Sequence, residues 1–214
     1  MKLFAVDPHC ARLQRKAELR DPATASHMRR VSQYAGLIAA GLGLGAAAVE
    51  QAVAACALHD IGKLGVPYRL LRKEGPLTGD ELRVMRLHVH YGQSMLLDTG
   101  TPLGRAAAAI ALHHHEKFDG GGYSFGLRGT AIPLYARIAA VADVFDALTS
   151  RRPQRCALGF DFALEYVRRQ GGLHFDPECV AAFVTEERRI LEIRNRFPDR
   201  SEEVEERQAG EAQV

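Results

Sequence analysis

No stretch of this 214-residue chain approaches the roughly 20 consecutive apolar residues that a membrane-spanning helix requires. Its start, MKLFAVDPHCARLQRK, also lacks the long apolar segment and small-residue cleavage site of a secretory signal. The expectation is a soluble cytoplasmic protein with no membrane contact. Cysteine is scarce. Cys10, Cys56, Cys156 and Cys179 lie far apart and form no CxxC pair, so neither a disulfide framework nor a thiolate zinc knuckle is indicated, and they read as small buried residues. Net charge is nearly absent as well, +2 over the whole chain, which offers duplex nucleic acid none of the strongly basic surface it demands. Charge is instead local: the first stretch is basic, and Glu202 to Glu206 form an acidic run in a polar tail, as solvated chain ends do.

Strand alternation and fixed repeats are missing too, while alanine-rich segments with helical periodicity dominate between Gly and Pro punctuation. The fold class that follows is all-α, a helical bundle around one sizeable core. Helices are expected near 25–41, 46–60, 78–100, 103–115 and 133–150, another from about Asp161, and a last long one from Asp176 towards Phe197. Thr78 and Glu81 have capping-box spacing, and Asp176 followed by Pro177 is a favoured helix start. Residues 116–131 are too rich in glycine for a helix and too long for an ordinary connection, which marks a functional loop. The chain divides into a lead-in segment 1–19, a catalytic domain 20–197 and a charged tail 198–214 with little to bury.

Few polar residues interrupt the apolar helices, and those that do are of metal-ligand type: His27, His59 with Asp60, His88, His114 with His115, and Asp143. They recur at near-regular intervals, each long enough for one helix and its connection, so successive helices can each deliver a ligand to the middle of a bundle. Five histidines and two aspartates exceed what one tetrahedral ion can use, and two ions fit better. Imidazole and carboxylate without thiolate suit iron, manganese or zinc, and a carboxylate such as Asp60 can bridge two ions where an imidazole cannot. Two ions about 3.5 to 4 Å apart would activate a water between them and clamp the attacking and leaving oxygens of a phosphoryl displacement. His27 or His88 alone would read as a core histidine. The His59–Asp60 doublet with Lys63 one turn on is a costly buried polar cluster unless something pairs it.

At LHDIGKLGVP the sequence resembles the HD superfamily of metal-dependent phosphohydrolases. HMRRVSQYAGLIA, MRLHVHYG, HHEKFDGGGYSFGLRGTAIPL, RIAAVADVFDALTSRRP and GGLHFDPECVAAFV follow the same order as segments of the HD-GYP family of cyclic di-GMP phosphodiesterases, over about residues 20 to 185. The resemblance implies an HD-type helical bundle with a metal site at its centre, held by His27, His59, Asp60, His88, His114, His115 and Asp143. It implies two divalent ions, iron or manganese, with zinc as an alternative. Lys63 and Asp60 would serve catalysis, with the Lys63 ammonium on the scissile phosphate or the bridging water. Gly122 and Tyr123 would contact substrate, and Arg152 and Arg155 would hold phosphate bidentately. Because the family's paired histidines directly precede a glutamate, His113 is left over, as are His90, His9 and His174.

Three positions depart from the family pattern. Ala23 stands where members with a third metal commonly carry glutamate, which favours two metals. Ser124 replaces the proline of Gly-Tyr-Pro, and Gln154 the usual aromatic after Arg-Pro. The implied activity is hydrolysis of cyclic di-GMP to linear pGpG, with onward cleavage to GMP as an optional second step. Another cyclic or linear nucleotide, or binding of a nucleotide or signalling protein without turnover, are the rival readings. A signalling partner would dock through the glycine-rich loop. With no room for a sensor domain before residue 20, regulation is expected from a partner, from metal or redox state, or not at all.

Overall fold

The computed structural model describes residues 7–20, 22–150 and 157–199. All regular structure among these residues is helical, apart from one isolated bridge between Gly171 and Phe175. In chain order the α-helices are α1 (Pro8–Arg20), α2 (Pro22–Gly41), α3 (Ala46–Cys56), α4 (Tyr68–Leu71), α5 (Gly79–Arg86), α6 (His88–Leu97), α7 (Pro102–His113), α8 (Leu134–Thr149), α9 (Phe160–Arg169), α10 (Pro177–Val184) and α11 (Glu187–Arg196). Short 3-10 turns occupy Ile61–Gly65 and Gly129–Ala131. None of these helices is long and apolar enough to cross a membrane.

Local chemistry accounts for the starts. Thr78 and Glu81 form the expected reciprocal capping box on α5, with the Glu81 amide 3.3 Å from Thr78 Oγ1 and the Thr78 amide 2.8 Å from Glu81 Oε2. Asp176 caps α10 by accepting from the Glu178 amide at 2.9 Å, with Pro177 behind it. Thr101 and Pro102 start α7 in the same way.

Two expected long helices are each divided. The 78–100 segment breaks at Leu87, where the His88 ring takes the Met85 carbonyl at 2.8 Å and the backbone tightens into a turn. The last helix breaks at Thr185–Glu186, where the Thr185 hydroxyl takes the Ala182 carbonyl at 3.0 Å. α3 stops at Cys56, four residues short of its expected end. Pro8–Arg20, placed in the lead-in by sequence, is a helix that buries Cys10, Leu13 and Ala17 in the common core.

α2 and α8 form the spine of the bundle, with α3, α9, α10 and α11 against them and α6 with α7 closing the other side. Tyr34 of α2, Phe145 of α8 and Phe183 of α10 meet edge to face, with centroids 5.0 to 5.8 Å apart, and lock the spine. Gly62 sets the approach of the 61–65 turn to α6. A Cβ there would lie 1.8 Å from the His88 carbonyl oxygen, so only glycine permits the contact. Arg20 donates to the Leu64 carbonyl and, at 2.6 Å, to that of Val66, tying the end of α1 to the same turn.

Candidate metal centre

The seven residues singled out as ligands converge. α2 supplies His27, the turn after α3 supplies His59 and Asp60, α6 opens with His88, the end of α7 supplies His114 and His115, and α8 supplies Asp143. The convergence is buried: His59 is 0% exposed, Asp60 4%, and His88 and His114 2% each.

The two oxygens of Asp60 face different groups. Oδ2 lies 3.4 Å from His59 Nε2 and 3.8 Å from His27 Nε2. Oδ1 lies 3.5 Å from His88 Nε2 and 3.8 Å from His114 Nε2. Asp143 Oδ1 joins the first group, 3.4 Å from His27 Nε2 and 3.7 Å from His59 Nε2. His115 joins the second, its ring 3.9 Å from that of His114 and 5.1 Å from that of His88. Asp60 thus stands between two sets of donors.

Four of the five imidazoles are oriented from behind. His59 Nδ1 donates to the Cys56 carbonyl at 2.9 Å, His88 Nδ1 to Met85 at 2.8 Å, and His114 Nδ1 to Ala111 at 3.0 Å. His27 Nδ1 donates to Asp146 Oδ2 at 2.8 Å. With the Nδ1 protons of these four committed, their Nε2 atoms present lone pairs inward, and they do so in close pairs: His27 to His59 at 3.3 Å and His88 to His114 at 3.5 Å. Facing lone pairs repel. Asp60 Oδ1 adds a buried oxygen with no hydrogen-bond partner, which costs about 1–3 kcal/mol. A cation in each group answers both costs, so the donor set fits divalent metals.

The protein groups by themselves answer by titration. Burial opposes charge on His59, yet Asp60 and Asp143 outweigh it and lift the imidazole to about 10. Burial also works against the Asp60 and Asp143 carboxylates, but Lys63 and His59 hold the first, and His59 and His27 the second, well below the usual range. Burial drives His114 well down and His115 to about 4, and it lowers His88, so these three remain neutral and ready to ligate.

Lys63 lies at the mouth, ion-paired to Asp60 Oδ2 with its side chain 37% exposed. Tyr123 stacks on His115 at 5.0 Å and 26°. Gly122 owes its identity to packing: a Cβ would lie 2.3 Å from the Lys117 amide nitrogen and 2.5 Å from Glu116 Cα. Ser124 Oγ is buried without a partner. Arg152 and Arg155, and Gln154 between them, lie outside the described residues. His113, His90 and His174 stay away from the centre. The first two flank Phe125, at 5.7 and 6.3 Å, and His174 stacks on Phe175.

Three residues were not singled out from the sequence. Asp146, the partner of His27, carries a legible signal: it follows Asp143 by one helical turn and so shares its face. Glu116 is 1% exposed and accepts from the loop amides of Phe125 at 2.7 Å and Leu127 at 3.2 Å, which folds the glycine-rich loop back over the helix end. Arg86 lies with its guanidinium carbon 4.7 Å from the Tyr123 ring centroid and forms no ion pair among the described residues. Nothing in its local sequence marks it.

Known proteins share the sequence and the fold. A cyclic di-GMP phosphodiesterase response regulator of Xanthomonas campestris, RpfG, is 45% identical over 87% of this chain and 50% of its own length. A 3′3′-cGAMP-specific phosphodiesterase of Vibrio cholerae is 41% identical over 77% of this chain and 35% of its own. The chain therefore spans half or less of these relatives. The HD domain of the L. monocytogenes phosphodiesterase PgpH, solved with cyclic di-AMP, shares the fold with a TM-score of 0.60 at 18% identity, over 88% of this chain and 98% of that one. The HD domain family model itself matches residues 12–179, and with the histidine–aspartate doublet at the heart of the bundle, this chain belongs to the HD domain family.

Proposed function

We propose that this protein is a metal-dependent phosphodiesterase that hydrolyses cyclic di-GMP to linear pGpG. The observation that carries the reading is the division of Asp60, one oxygen toward His27 and His59, the other toward His88 and His114. Two divalent ions held by these residues with His115 and Asp143, iron or manganese by donor type, would lower the pKa of a water and neutralise a phosphate oxygen. The protein's own groups do the rest. Lys63 supplies a compact positive charge at the mouth, where a phosphate oxygen accumulates charge as the ester opens. Water adds across one P–O3′ bond, and the ring opens to a linear dinucleotide with a 5′-phosphate.

Tyr123 and Arg86 form the lip beside His115, an aromatic face and a guanidinium with no ion pair among the described residues, suited to a base and a phosphate. Arg152 and Arg155, which follow α8 closely in sequence, are the further candidates for holding phosphate. Incubation of metal-loaded protein with cyclic di-GMP, followed by separation of products, tests the reading. Linear pGpG is expected, with His59→Ala and Asp60→Ala inactive. No product with iron, manganese or zinc refutes it. The second reading, cleavage of 3′3′-cGAMP, is favoured by the name of the Vibrio relative, and competition between the two substrates in one reaction decides it.

A further inference from the structure

We infer that Arg30 and residues Phe197–Asp199 form a clamp that positions His27, so that the end of α11 governs one half of the metal centre. The inference rests on the metal reading above and adds to it a set of residues no ligand pattern contains. Arg30 follows His27 by three positions on α2, and its guanidinium, 1% exposed, meets five acceptor atoms. Nε donates to Asp146 Oδ1 at 2.5 Å, and one terminal nitrogen donates to Asp146 Oδ2 at 3.0 Å and to Ser150 Oγ at 2.8 Å. That same nitrogen reaches Asp199 Oδ1 at 2.8 Å, and the other terminal nitrogen donates to the Phe197 carbonyl at 2.5 Å. Asp146 Oδ2, held from both sides, accepts from His27 Nδ1.

The chain of contacts runs from the segment after α11 through Arg30 and Asp146 to a ligand atom. The guanidinium fork is planar, so the bonds to Asp199 and Phe197 help to fix the angle at which it meets Asp146. His27 is also the one imidazole of the centre set by a carboxylate from another helix; His59, His88 and His114 are set by carbonyls within their own segments. Loosening the clamp therefore acts on the group of His27, His59 and Asp143. The group of His88, His114 and His115 is untouched. A partner that draws residues 197–199 away from Arg30 would weaken the first metal selectively.

The test is a two-step Mn(II) titration of the full chain, free ion counted by its spin resonance signal, with His27→Ala identifying the step that belongs to the His27 group. Asp199→Ala is expected to weaken that step several-fold, and Arg30→Lys, which cannot hold all five acceptors, by about 10–100-fold. Asp199→Asn, which keeps an acceptor, is expected to bind as the wild type does. The other step should hold its affinity throughout. Equal weakening of both steps, the result of general loosening, overturns the clamp, and so do two unchanged steps in Asp199→Ala. If Arg30→Lys fails to fold, the Asp199 pair decides alone. A wild type that shows this split but leaves cyclic di-GMP uncleaved upholds the clamp and refutes the reaction. One that binds no metal refutes both.

Discussion

Stripped of metal, this protein is expected to be most stable near pH 7 and to lose stability in both directions. Burial holds His115 and His174 down at about 4, against 6.5 for a free imidazole. Below 6.5 the unfolded chain takes up protons that these folded imidazoles refuse, so stability falls as pH falls, by about 1.4 kcal/mol per unit for each group. At pH 5.5 the two together cost about 3 kcal/mol, and His88 and His114, lowered for the same reason, add to that side. His59 has the opposite sign. Against the opposition of burial, Asp60 and Asp143 lift it to about 10, so above 6.5 the folded state keeps a proton that the unfolded chain has released. Stability then declines as pH rises, by about 3 kcal/mol at pH 8.5. The Asp60 and Asp143 carboxylates titrate well below 3.8 and stay out of this window. Measured from the optimum, where the two effects together already cost about 1 kcal/mol, each flank loses about 1.5–2 kcal/mol, or roughly 3–8 °C in thermal melts with a chelator. Metal added back should move the optimum to higher pH, because ligation needs the imidazoles deprotonated and removes the proton from His59. A chelated protein whose melting temperature is flat from pH 5.5 to 8.5, or rises steadily across it, would refute this account of the buried charges.

Gly62→Ala places a methyl against the His88 carbonyl oxygen and should cost about 3 kcal/mol or more in denaturant melts, with both metals bound more weakly because Asp60 moves off α6. Arg86→Ala should raise KM for a cyclic dinucleotide about 3- to 10-fold with kcat little changed, and an unchanged KM would remove it from the lip. Glu116→Ala leaves the Phe125 and Leu127 amides without their acceptor. Faster hydrogen exchange confined to the 116–131 loop is expected, with a loss of about 1–3 kcal/mol at most. Exchange unchanged at those amides would show that the loop is held some other way.

The donor set was legible because a bundle core tolerates few polar residues, and those it contained were histidine and aspartate at helix-length intervals. Their division into two groups was not legible. It depends on which carboxylate oxygen faces which imidazole, and that follows from the angle at which the 61–65 turn crosses α6. Asp146 hid for a related reason: as a lone acid one turn from a better candidate, it had no visible partner until α2 brought Arg30 and His27 beside it. Arg86 contacts Tyr123 only because the loop folds back, an event set by Glu116.

The helix ends that periodicity misplaced share a cause with the chemistry. Neighbouring residues in an α-helix point about 100° apart, so a doublet inside a helix cannot aim both side chains at one centre. His59 and Asp60 follow the end of α3 at Cys56, and His114 and His115 follow the end of α7 at His113. Alanine-rich sequence favours continuing both helices, which is why periodicity carries them through the ligands. The carbonyls freed at those ends are used at once: Cys56 accepts from His59 Nδ1, and Ile110 and Ala111 accept from His114 Nδ1. His88 repeats the device at the break after Arg86, taking the Met85 carbonyl. Terminating a helix at a ligand thus turns the backbone to bring the donors together and supplies the acceptors that fix each ring with its Nε2 inward.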